Sequence, residues 1–165
     1  TKPRSIASTA TASRSRRSTP RLPPSDAPAG MRALIDTNVF VSALMGSASC
    51  RAILEGFRDG VFTRVTSEEL LSEVAQVLSR RKFSGRISPE DRRELLELLR
   101  RDGELVAPRS SPVAVRDAKD RVVLNSLYAA DMLVTGDHDL QVLGRVETAT
   151  ILSPRAFLAW LSRHP

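Results

Sequence analysis

From Met31 onward, short apolar runs too brief for helices alternate with longer segments of helical period, and this alternation restricts the fold more than any other feature. The runs "RALI", "VFTRVT", "ELVAP", "DMLVTG" and "ATIL" read as strands. Between them, "NVFVSALM" starts a helix and "SASCRAILEGFRDG" forms a second, closed by Gly60. Thr66, with Glu69 three residues on, predicts a capping box opening the helix "SEELLSEVAQVLSRRKF". Ser88 and Pro89 cap and start "PEDRRELLELLRRD", which Gly103 ends. A helix over "DAKDRVVLNSLYAA" and a last one from Ser153 and Pro154 through Trp160 complete the pattern. Parallel strands need crossovers, and intervening helices supply them on both faces of the sheet. The expected architecture is therefore α/β, a three-layer α/β/α sandwich with a central parallel sheet.

A chain of 165 residues with 41% hydrophobic content holds one domain with a sizeable core and has little room for two. Residues 1–30 are rich in Ser, Thr, Ala, Pro and Arg without apolar periodicity, and are expected to form a disordered basic tail ahead of a single domain over 31–165. That composition suits an organelle transit peptide, or translated sequence upstream of a start at Met31. The tail sets Lys2, Arg4, Arg14, Arg16, Arg17 and Arg21 against Asp26 alone, so +5 of the net charge of +6 lies there. The high pI is thus no argument for a basic surface on the folded part. One cysteine, Cys50, excludes an internal disulfide framework and fits a reducing compartment. No apolar run reaches membrane-spanning length, and no secretory signal is visible, so a soluble cytoplasmic protein is expected.

In open α/β sheets, ligands bind beyond the carboxyl ends of the strands. Two strand ends deliver acids there: Asp36 follows "RALI", and Asp137, with Asp139, follows "LVTG". Each has a plain alternative as a helix N-cap. Glu73 lies at the edge of the apolar stripe of Leu70, Leu71, Val74, Val77 and Leu78, where it either snorkels to solvent or looks into a cleft. Asp117 reads as an N-cap, which puts Asp120 at the third helical position, where a helix N-terminus already favours a carboxylate.

In order and spacing, "ALIDTNVFVSAL", "SEELLSEVAQVLSRRKF", "RDAKDRVVLNSL" and "LVTGDHDL", closed by "ILSPRAFLAWL", resemble the PIN-domain family, in particular its bacterial toxin-like branch related to VapC ribonucleases. The resemblance covers essentially all of 31–165. It implies a parallel sheet sandwiched by helices and a catalytic carboxylate set at Asp36, Glu73, Asp120 and Asp137, with Asp139 as an auxiliary acid. It implies too that Thr37 and Asn38 orient the first acid. The stretch "YAADML" is slightly shorter than the family pattern, which usually has a Gly-Ala pair there. The resemblance further implies an RNA substrate, a homodimer, and a small antitoxin that inhibits by covering the acidic cleft.

Several ionised carboxylates in one cleft repel one another and call for a cation. An all-oxygen set selects a hard ion, so Mg²⁺ or Mn²⁺ is expected, held by one or two direct carboxylates with waters between. The resemblance implies Asp36, Asp120, Asp137 and Asp139 as the metal residues, with Asp117 as an auxiliary. Zinc is disfavoured: His138 and His164 are the only histidines, and Cys50 has no neighbouring ligand. His138 reads as a turn residue. With the acids in place the expected chemistry is hydrolysis of RNA phosphodiesters, and Arg80, Arg81, Lys82, Lys119 and Arg121 are the candidate phosphate contacts. The competing reading is a catalytically silent RNA- or protein-binding module of the same fold. A haloacid-dehalogenase-like phosphatase would need a second Asp where Asn38 stands, and a receiver-like module needs adjacent acids and a late lysine that are not seen.

Overall fold

The computed structural model describes residues 30–115 and 117–164. The basic segment expected over residues 1–30 therefore lies outside the described residues except for Gly30.

The elements alternate as the sequence requires. They run β1 (Arg32–Ile35), α1 (Thr37–Leu44), α2 (Ala48–Arg58), β2 (Thr63–Thr66), α3 (Glu68–Leu78), α4 (Pro89–Asp102), β3 (Glu104–Leu105), α5 (Ala118–Leu127), β4 (Met132–Val134), α6 (His138–Val142), β5 (Arg145–Val146), β6 (Ala149–Leu152) and α7 (Pro154–Leu161). Six strands make one sheet in the order β3-β2-β1-β4-β6-β5. Every neighbouring pair is parallel except the last, in which β5 runs antiparallel to β6. The central parallel sheet expected from the alternation is present, with this one antiparallel strand at its edge. A two-residue turn joins β5 to β6, with Glu147 at a φ of 51°, and such a turn returns the chain without a crossover helix.

Side-chain alternation along the strands builds two cores. Ala33, Ile35, Met132 and Val134 point to the face packed by α1, α2, α4, α7 and most of α3, where Phe40, Ile53, Val74, Leu99 and Phe157 are buried. Leu34, Val65, Leu133 and Ile151 point to the opposite face, under Val123, Leu124 and Leu127 of α5 and Leu140 of α6. Leu133 and Val134, both wholly buried, are each worth roughly 1.5–3 kcal/mol of burial. Among the described residues no single helix is long and apolar enough to cross a membrane.

Two local expectations shift. The cap of α3 is Ser67, whose hydroxyl accepts from the Leu70 amide, and not Thr66. Thr66 stays in β2, paired with β3, and its hydroxyl oxygen accepts from Arg64 at 2.9 Å. The helix also stops at Leu78 instead of running through Phe83. Ser79 closes it, and a separate 3-10 turn covers Arg81–Phe83, so Arg80, Arg81 and Lys82 are not the last turn of the Glu73 helix. Of "ELVAP" only Glu104 and Leu105 pair as a strand. By contrast Ser88, Ser153 and Asp117 cap α4, α7 and α5 as their sequences suggest.

Arg64 is wholly buried, with its guanidinium 5.2 Å from the centre of the Phe40 ring and 5.8 Å from that of Phe57. It donates to the Leu99 carbonyl at 3.0 Å as well as to Thr66, and its Nε has no partner among the described residues. Burial without a counter-charge lowers its pKa to about 9. Gly103 makes this packing possible, since a Cβ there would stand 2.7 Å from both Arg64 Nη1 and the Leu99 carbonyl oxygen.

The chain leaves β1 towards β2 and β3 on one side, whereas β4 and β6 lie on the other. The gap between β1 and β4 is thus the switch point of the sheet, where diverging connections leave a crevice at the carboxyl ends. Asp36 and Asp137 are the acids that follow those two strands.

Candidate active site

Asp36 extends β1 by one residue, its amide donating to the Val134 carbonyl of β4 at 3.0 Å. It occupies the N-cap position of α1, yet its side chain makes no capping bond. Its Oδ2 instead accepts from the Asn38 side-chain amide at 2.7 Å and from the Thr135 hydroxyl at 2.6 Å. The plain alternative of a helix cap therefore fails for Asp36, which at 8% exposure is nearly buried. Asn38 in turn accepts from the Gly136 amide at 3.1 Å, so one side chain ties the first acid to the turn after β4.

Asp137 does cap a helix: its Oδ1 accepts from the Asp139 amide at 2.8 Å. One oxygen is spent on α6, and the side chain still lines the crevice. Asp117 caps α5 in the same way, through the Lys119 amide at 2.9 Å, and thereby places Asp120 on the first turn. Glu73 comes from α3, half-buried, with Oε2 fully covered and without a partner among the described residues.

Asp36, Glu73, Asp120 and Asp137 line one cleft of about 340 Å³, together with Thr37, Asn38 and Asp117. Arg80, Lys82 and Lys119 lie on its walls, and Phe83, over whose ring the Lys82 ammonium sits, is beside them. Asp139, Arg81 and Arg121 are exposed and do not line it. His138 is exposed too, as the first residue of α6.

The charges in this cleft act on one another. The Asp36 carboxyl is held above its ordinary pKa mainly by burial, with the charge of Asp137 adding to it, although the Thr135 hydrogen bond opposes the shift. Glu73 is raised by burial and then by Asp36, against the pull of Lys119 and Arg80. Asp120 is raised by burial and then by Asp137, Asp117 and Asp139, against Lys119. Groups displaced by one another's charge in a cleft mark a place where a cation would be stabilised.

The donor set fits a hard divalent cation. It is all oxygen, and two oxygens of residues that line the cleft, Thr37 Oγ1 and Glu73 Oε2, are buried without partners among the described residues. No three His, Cys, Asp or Glu side chains among the described residues converge tightly enough to enclose an ion. The carboxylates are spread around the walls, an arrangement compatible with one or two direct ligands and intervening waters, as Mg²⁺ prefers.

One residue central to this geometry was not singled out by the sequence. Thr135, wholly buried, accepts from the Asp137 amide at 3.0 Å while donating to Asp36. Its only sequence signal is a β-branched residue after an apolar run, which reads as strand.

The model of the PIN domain family matches residues 32–139, from the start of β1 to the first residues of α6. No curated protein matches the chain.

Proposed function

We propose that this chain, which belongs to the PIN domain family, is a metal-dependent endoribonuclease that hydrolyses RNA phosphodiesters in the cleft between β1 and β4. The observation that carries the reading is the convergence of four carboxylates from four separate segments, Asp36, Glu73, Asp120 and Asp137, at the switch point of the sheet. A structural need for one acid, such as a cap, does not account for four that meet in one cleft, where Asp36, Glu73 and Asp120 are raised in pKa by burial and by the charge of neighbouring acids.

Asp36, Asp120 and Asp137 are the residues that would hold Mg²⁺ or Mn²⁺, with the charge of Asp139 close behind Asp120. When bound, the ion lowers the pKa of coordinated water and offsets the charge that builds on the phosphodiester. Glu73, half-buried and with a carboxylate made more basic by burial, accepts the proton of the attacking water. The water oxygen bonds to phosphorus, one ester P–O bond breaks, and solvent protonates the departing oxygen. Lys119, Arg80 and Lys82 on the cleft walls supply positive charge to the phosphates on either side.

The same reading makes the chain the toxin component of a toxin-antitoxin pair in the cytoplasm. A small partner protein would block the cleft by presenting a cation to the acids, and the chain would work as a homodimer. The alternative, a silent binding module of the same fold, has one observation on its side: the carboxylates among the described residues do not converge into a cage.

Incubation of the purified chain with end-labelled single-stranded RNA separates the two readings. Cleavage with Mn²⁺, its loss with EDTA, and its loss in Asp36→Asn are the expected results. An intact, folded chain that leaves RNA uncut with Mn²⁺ in excess, or an Asp36→Asn variant that cuts as well as the parent, overturns the ribonuclease reading.

A further inference from the structure

We propose that Thr135 is a positioning residue, which aims the carboxylate of Asp36 and the Asp137 turn at a common ion. The inference rests on the metal-dependent reading of the cleft and assigns a role within it.

The direction of each hydrogen bond at Thr135 follows from counting. A threonine hydroxyl has one proton and two lone pairs. The Asp137 amide donates to Oγ1 at 3.0 Å and the Asn38 side-chain amide approaches it at 3.4 Å. Neither group can accept through those nitrogens, so the hydroxyl proton goes to the remaining neighbour, Asp36 Oδ2, at 2.6 Å. A single oxygen thus touches the backbone of one cleft acid and the side chain of another, although the two are 101 positions apart in the chain.

The consequence for Asp36 is rotational. Oδ2 receives both Thr135 and Asn38, which restricts rotation of the carboxylate and anchors one of its two oxygens at the edge of the cleft. For Asp137 the consequence is translational: its amide is pinned to Oγ1, so its Cα cannot drift from β4 while its side chain caps α6. The hydroxyl itself does not move relative to the sheet. Thr135 is wholly buried, its amide donates to the Leu152 carbonyl of β6 at 3.0 Å, and the Asp36 amide is bonded to the adjoining Val134 carbonyl. Asn38 alone cannot replace it, because Asn38 contacts the β4 turn at Gly136 and leaves the Asp137 amide unbonded. Partners that orient ligating carboxylates are worth about 10–100-fold in metal affinity.

The test is calorimetric titration of Mn²⁺ into the full chain and its variants well below their melting temperatures, with RNA cleavage measured in parallel. Thr135→Val keeps the shape and removes the hydroxyl's bonds to Asp36, the Asp137 amide and Asn38, and is expected to bind Mn²⁺ at least about tenfold more weakly, with cleavage at saturating Mn²⁺ reduced as well. Thr135→Ser keeps the hydroxyl and is expected to bind within about threefold of the parent. Should the valine variant not fold, Thr135→Cys takes its place, since a thiol is a weak donor, and the same tenfold weakening relative to serine is expected. Equal Mn²⁺ affinity in the parent and the valine or cysteine variant overturns the positioning role while leaving the cleft reading intact. Absence of Mn²⁺ binding by the parent overturns both.

Discussion

Replacing Glu73 with glutamine should stabilise the protein in EDTA and cost it stability, relative to the parent, in Mn²⁺. Glutamine matches glutamate in volume and helix propensity, so α3 itself is indifferent to the change. In the parent, Glu73 Oε2 is buried without a partner among the described residues, a condition that costs roughly 1–3 kcal/mol. Against this stand the attractions of Lys119 and Arg80, both exposed and worth about 0–1 kcal/mol each after screening. Because the net shift of the Glu73 pKa is upward, the penalties exceed the attractions, and removing the charge is expected to raise the melting temperature in EDTA. For a domain of this size each 1 kcal/mol of relief is worth roughly 2–5 °C. With Mn²⁺ the sign turns over. Mn²⁺ at a hundred times its Kd stabilises the parent by about 2.7 kcal/mol. A carboxylate about 5 Å from a divalent ion contributes roughly 2–3 kcal/mol of that attraction at an effective dielectric of about 40–80. The variant should therefore gain little from the metal. Four thermal melts followed by circular dichroism, parent and Glu73→Gln each with EDTA and with Mn²⁺, decide the matter. A variant less stable than the parent in EDTA, or one that gains as much from Mn²⁺, refutes the assignment of Glu73 to a charge-strained cleft.

Two further outcomes follow from ionisable groups. The carboxyls of Asp36, Glu73 and Asp120 have folded pKa values above their unfolded ones, so the native state holds more protons than the unfolded chain and stability falls as pH rises through the folded values. Urea unfolding in EDTA should show the contribution of these groups present near about pH 4, in the unfolded carboxylate range, and lost by about pH 7.5, with a smaller loss in Glu73→Gln; an equal loss in both proteins counts against the coupling. Arg64→Met should stay within about 2 kcal/mol of the parent in urea unfolding, since relief of an unpaired buried cation offsets the two lost hydrogen bonds. Arg64→Ala should lose roughly 3–5 kcal/mol through the cavity it leaves, and equal losses in the two variants would show that the charge, and not the volume, is what the site uses.

The elements were legible where the signal is local. Ser88 with Pro89 and Ser153 with Pro154 mark helix starts through their own backbone chemistry, and α4 and α7 begin there. The capping of α3 was misread by one residue because Thr66 and Ser67 are equally good caps in isolation, and only the approach of Arg64 commits the Thr66 hydroxyl elsewhere. The same holds for the site. Asp36, Glu73, Asp120 and Asp137 each stand out by position, at a strand end or beside an apolar stripe, but their meeting in one cleft depends on β1 and β4 being neighbours. Nothing local encodes that adjacency. Arg121 was drawn in by standing next to Asp120, yet successive residues on a helix point about 100° apart, and it faces solvent. Thr135 and Arg64 were illegible for the converse reason: their roles are defined by partners distant in sequence.

Crystals of the chain soaked in millimolar Mn²⁺ and measured at the manganese absorption edge test the central claim most directly. The account predicts an anomalous peak in the cleft between β1 and β4, within bonding distance of a carboxylate oxygen of Asp36, Asp120 or Asp137, and absent from Asp36→Asn crystals treated identically. Manganese bound only elsewhere on the surface, with the cleft carboxylates free of it, would contradict the account.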